Sequence, residues 1–233
     1  MADLIDPLAL EGITELDLRS YQDAFESDPK FRAAMNAVCT TPVSQVAINR
    51  RRAVQLDHSF SVQLPENPAT NQKGSGRCWM FAALNTFRTR AMLSMNLSEG
   101  FELSQNYTMF WDKLEKSNYF LDNILATVSE PIGSRVLDFL LANPIQDGGQ
   151  WQMLVNLMEK YGTLPKAIMP ETESSSSTGK MNDQITAKLR DYACALRAAS
   201  EAGKSHEALQ TQKHAYMAEV YRMLVIHLGE PPR

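Results

Sequence analysis

The sequence predicts a mostly α-helical protein. Apolar residues recur at three- and four-residue spacing through most of the chain. Capping residues and glycines stand where those patterns begin and end. Only "DHSFSVQLP" (57–65) alternates, and it reads as extended chain leading into a Pro-bounded loop.

Taken in order, "FRAAMNAV" (31–38) is a short apolar-rich helix ending near "CTTP". From Cys78 to about Leu93 a helix carries Phe81, Leu84 and Phe87 on one stripe, with Ala82, Ala83 and Ala91 as small packing residues. Ser104 is placed to cap a long helix bearing Tyr107, Phe110, Trp111, Leu114, Leu121, Ile124, Leu125 and Val128. "SRVLDFLLA" and "GGQWQMLVNLMEKYG" predict two more helices, the second ended by Gly162. "ETESSSSTG" (171–179) reads as a polar, flexible boundary. Two long helices follow over 182–202 and 205–228, and Gly229, Pro231 and Pro232 stop the second. This gives three regions: an N-terminal arm (1–30), a helical lobe (31–170), and a linker with a helical insertion (171–233).

The chain has 233 residues, enough for a substantial core, and the balance of apolar and charged residues is that of an ordinary globular protein. Its net charge of −4, with both signs mixed along the chain, argues against a nucleic-acid surface. No apolar run reaches membrane-spanning length and no signal peptide is visible, so the cytoplasm is the expected location. Cys39, Cys78 and Cys194 are odd in number and far apart, which suits neither a disulfide framework nor a CxxC metal or redox site. Neither a metal nor a cofactor is expected.

"TNQKGSGRCWMFAALNTF" (70–87) is the stretch richest in chemistry. A thiol attacks as thiolate, and a helix N-terminus favours that anion through its unpaired N–H groups and the macrodipole. Gly74 and Gly76 prevent helix upstream of Cys78, and Gly76 lets the backbone approach a ligand closely. Gln72 carries an amide that can donate to an oxyanion beside the Cys78 N–H. A buried structural Cys fits the spacing equally well. Phosphate binding by "KGSGR" is a weaker rival, because Trp79 breaks G-x-G-x-x-G and no P-loop Lys-Ser/Thr follows.

With Gln72, Cys78-Trp79 and Phe81-Ala82 in view, the segment resembles the active-site helix of papain-like cysteine peptidases. The fuller string, with "DGGQWQMLVNLMEKYG" (147–162) and "LPKAIMPETESSSSTGKMN" (164–182), is similar to the intracellular branch of bleomycin hydrolase and aminopeptidase C. The resemblance implies the helical lobe of a papain-like α+β fold plus the start of a hook-like helical insertion that builds a hexamer. It implies Cys78 as nucleophile, Gln72 as oxyanion donor, Trp79 packed behind the nucleophile, and Gly148 and Gly149 along a wall that binds peptide as an extended strand. Read alone, Gly148-Gly149 is better taken as a plain helix-entry turn than as a binding wall. Secreted relatives of this class carry a disulfide at the places held here by Ser75 and Gln146; both halves of that bridge are missing together, as a reducing compartment would require.

Such catalysis needs a His to take the thiol proton and an Asn to orient it. The resemblance puts both in a C-terminal lobe beyond Arg233. Of the four histidines, His58 lies in the extended segment, and His206, His214 and His227 fall in or beside the terminal helices, where surface or packing roles suit them better. The chain is therefore expected to be a cysteine aminopeptidase part, acting on peptides and inactive alone. The alternative is a non-catalytic helical binding or assembly module with an inert Cys78.

Overall fold

The computed structural model describes residues 12–57, 59–64 and 67–232. Eleven helices occur among the described residues, with strand pairing reduced to two isolated bridges, Gly74 with Ser177 and Leu103 with Pro165. No helix among them is long and apolar enough to cross a membrane.

The contacts divide the chain at Gln63/Leu64, not at the Ser-rich stretch. The first unit holds α1 (Glu15–Ser27), α2 (Pro29–Thr40), α3 (Val43–Val46) and α4 (Arg50–Gln55). Thr14 and Asp17 form a reciprocal capping box on α1, and Asp28 caps α2 ahead of Pro29. Phe25 and Phe31 stack with ring centroids 6.1 Å apart. None of these helices has a buried residue. The segment after α4 has no regular structure in its described residues, and His58 lies outside them.

The second unit holds α5 (Cys78–Met95), α6 (Gln105–Ala126), α7 (Arg135–Ala142), α8 (Trp151–Tyr161), α9 (Glu173–Ser176), α10 (Gly179–Glu201) and α11 (His206–Leu228). Helix α6 is the axis, packing against α5, α7, α8, α10 and α11. It forms where expected: Ser104 Oγ accepts from the Tyr107 N–H at 3.0 Å and donates to the Met169 carbonyl at 2.6 Å. Met109, Phe110, Leu121 and Ile124 from α6 meet Ile185, Leu189 and Leu196 of α10 and Val220 and Leu224 of α11 in one buried cluster. Each of these is at most 1% exposed, so this three-helix contact is the core of the unit.

Polar side chains fix the loops to that core. Asn106 Nδ2 donates to the carbonyls of Pro170 and Leu228, both at 2.8 Å. Arg190 donates to the Leu141 and Ala142 carbonyls, satisfying the C-terminus of α7. Gly162 and Gly229, at φ 69° and 89°, terminate α8 and α11 as the sequence predicts.

The segment 171–179 is structured and packed into the unit. It forms α9, with Thr172 and Ser175 in a capping box, and Ser175 and Thr178 are almost wholly buried. Serine there supplies hydroxyls to a buried hydrogen-bond network, so composition alone misleads.

Candidate functional site

Helix α5 begins at Cys78, and its cap residue Arg77 makes no side-chain cap bond, so the first N–H groups of the helix are open. Cys78 is exposed and its thiol hydrogen-bonds to no described residue. It is therefore not the buried structural cysteine that spacing alone allowed.

The loop before it is held by short-range and long-range bonds. Lys73 sits at φ 52°, with its N–H on Asn71 Oδ1 at 2.8 Å. Ser75 Oγ donates to the Gln72 carbonyl at 2.7 Å, closing a turn that leaves the half-buried Gln72 amide without a hydrogen-bond partner among the described residues. The Gly74 N–H donates to the Ser176 carbonyl at 2.9 Å, and its carbonyl accepts from the Thr178 N–H at 3.4 Å. Buried Arg77 meets Glu171 through two parallel bonds of 3.0 and 2.7 Å, while its Nε donates to Ser75 Oγ at 2.9 Å.

Asp147 is the centre of the site. Its carboxylate accepts from the Gly76 N–H (2.9 Å), Lys113 Nζ (2.6 Å), Thr178 Oγ1 (2.6 Å) and Asn182 Nδ2 (2.8 Å). Its carbonyl accepts from Trp79 Nε1 at 2.8 Å. One residue thus fixes the positions two before and one after Cys78, and joins them to α6 and α10. Burial alone would raise its carboxyl, but the Lys113 ammonium and the bonds from Lys113, Thr178 and Gly76 outweigh this and hold it well below the usual carboxylate range. Burial pushes Lys113 down from its ordinary value, opposed by Asp147.

Gly149 lies flat against Trp79: a Cβ there would stand 2.5 Å from Cζ2. Trp79 therefore packs against the glycine and leaves no room for a side chain there. Gly148 has open space where a Cβ would go. Lys116 Nζ accepts nothing and donates three times, to Asp112 Oδ2 (2.8 Å) and to the carbonyls of Gln146 (2.8 Å) and Gly148 (2.7 Å). Beside this wall an apolar cavity of about 230 Å³ is lined by Trp79, Ala82, Ala83, Thr86, Trp151 and Leu154.

The structure brings Gln72, Cys78, Trp79 and Gly149 onto one framework. It does not bring a histidine to Cys78 among the described residues. His206 and His214 are exposed on α11, and His227 bonds Ser174 Oγ (2.8 Å) and Gln184 Oε1 (3.0 Å). Sequence reasoning missed Arg77, Lys113, Lys116, Asp147 and Glu171. Only the position of Asp147 directly before Gly148-Gly149 marked any of them out.

This arrangement, on this helical scaffold, is the helical part of a papain-like peptidase fold. The chain belongs to the Peptidase C1-like family, whose sequence model matches residues 12–233. It is 45% identical over 209 residues to aminopeptidase C of Streptococcus thermophilus, covering 90% of this chain and 47% of that protein. It is 37% identical over 229 residues to bleomycin hydrolase of Homo sapiens, covering 97% and 50%. The crystal structure of PepW from Lactobacillus rhamnosis HN001 superposes with a TM-score of 0.85 at 45% identity, over 95% of this chain and 49% of that one. The chain spans about half the length of the relatives it matches.

Proposed function

We propose that this chain supplies the nucleophile side of a cysteine aminopeptidase that removes N-terminal residues from peptides. The observation that carries the reading is the exposed Cys78 thiol at the first residue of α5, in a loop riveted from both sides by Asp147 and Arg77. Family membership and relatives named aminopeptidase C and bleomycin hydrolase support it.

In this reading the Cys78 thiolate attacks the scissile carbonyl, and the resulting oxyanion receives the Cys78 N–H and the Gln72 amide. A histidine from outside these residues takes the thiol proton and delivers it to the leaving amine. Water then hydrolyses the thioester. The open face at Gly148 and the unpartnered N–H and C=O of Gly149 pair with substrate backbone, and the cavity beside Trp151 takes an apolar side chain. The α10–α11 pair is the start of an insertion that assembles a hexamer. Three unpaired cysteines, with Ser75 and Gln146 at the disulfide places, suit a reducing cytoplasm.

The test is hydrolysis of an aminoacyl-coumarin by this chain alone and mixed with the C-terminal half of a related aminopeptidase C. Turnover is expected only in the mixture and is abolished by Cys78→Ala. Cys78-dependent turnover by the 233 residues alone would place the base among them, with His58 the first to examine. A mixture that binds but stays silent would favour an assembly module.

A further inference from the structure

We propose that Lys116 is a positioning residue for the peptide-binding wall: its ammonium draws the carbonyls of Gln146 and Gly148 towards α6, leaving the Gly149 backbone turned to the incoming peptide. This deepens the reading above and rests on it. Asp147 already pins the chain between these two residues. No described residue other than Lys116 hydrogen-bonds to the Gln146 or Gly148 carbonyl, and glycine at 148 and 149 leaves the backbone beyond Asp147 without side chains to hold it. Lys116 removes that freedom with two bonds of 2.8 and 2.7 Å.

The same ammonium lies 5.6 Å from the centroid of the Trp79 ring, on which Gly149 rests. Lys116 therefore touches both components of the wall, the glycine strand and its aromatic support. Asp112, on the preceding turn of α6, aims it through a 2.8 Å ion pair, and only 14% of the Lys116 side chain and 2% of the Asp112 side chain are exposed. No described residue hydrogen-bonds to the Gly149 N–H or C=O, so these remain for a ligand. Lys116 borders cavities of about 520 and 460 Å³, which leave room for a methionine side chain, although Asp112 then loses its partner.

A positioning role predicts a defect in peptide recognition with the thiol itself unaffected. The experiment measures Cys78 alkylation in this chain by two reagents: iodoacetamide, which reads the thiol, and a dipeptidyl chloromethyl ketone, which must first dock. Lys116→Met is expected to raise the half-saturation concentration of the peptidyl reagent about tenfold, with its limiting rate and the iodoacetamide rate within about twofold of the parent. Lys116→Arg, which keeps cation and donors, is expected to recover part of the loss. If Lys116→Met loses the helical circular dichroism signal, Lys116→Gln replaces it and is expected to fall between parent and full loss. Equal half-saturation in parent and variant, or a parallel fall in both reagents' rates, overturns the inference. A parent in which Cys78 is no better a target than Cys39 or Cys194 for either reagent overturns the functional reading instead.

Discussion

Cys39, Cys78 and Cys194 are all exposed, so access to a reagent does not separate them. What separates them is position: Cys39 lies in the last turn of α2, Cys194 in the interior of α10, and Cys78 at an uncapped N-terminus. Brief iodoacetamide treatment with mass-spectrometric mapping is expected to label Cys78 first; preference for either other thiol would count against a nucleophile. The two adjacent glycines differ just as sharply. Gly149→Ala drives a methyl into the Trp79 ring and is expected to cost about 1–3 kcal/mol, whereas Gly148→Ala enters open space and should leave the urea midpoint nearly unchanged. Gln72→Ala, assayed in the two-part mixture, should lower turnover about 10²-fold with the fold intact. An unaltered rate would mean that its amide does not reach the oxyanion.

Among the elements, the bond between the nucleophile loop and the segment leading into α9 is the most exacting. Arg77 is 1% exposed, and among the described residues its only carboxylate partner is Glu171. Glu171→Ala leaves a buried guanidinium uncompensated, and the expected loss is about 3–5 kcal/mol in urea unfolding. A cost within error would show that water replaces the carboxylate. This element also marks the limit of what the sequence discloses. The start of α6 was legible at Ser104 because a cap and the N–H it serves lie three residues apart. The ends of α8 and α11 were legible because glycine at positive φ is a local requirement. Segment 171–179 was not, because its order comes from Arg77, 94 residues away from Glu171, and from the Gly74 bridge. In the site, Cys78, Gln72 and the two glycines carry a local signature. Asp147, Lys113 and Lys116 read as ordinary surface charges until the fold gathers them.

At the scale of the whole molecule, the buried charges make stability depend on pH. Burial raises Asp112 to about 6 against the pull of Lys116 and Lys113, with Asp147 pushing the same way as burial. Between about pH 4 and 6 the folded chain keeps a proton that the unfolded chain releases, so stability falls as pH rises through that window, by on the order of 2 kcal/mol. Asp147 acts oppositely: its stabilisation is present above the ordinary carboxylate value and is lost as pH falls towards its depressed folded value. Urea midpoints followed across pH 3–8 should therefore fall between about pH 4 and 7, and Asp112→Asn should flatten that limb alone. The same slope in the variant would assign the titration elsewhere. The convergence on Asp147 and Arg77 has a further consequence, in time rather than in space. A ribosome adds about 5–20 residues per second, so Glu171 follows Arg77, 94 positions earlier, by roughly 5–20 s. Throughout that interval Arg77 lacks its carboxylate partner, and the site takes shape only when the chain that locks it has been made.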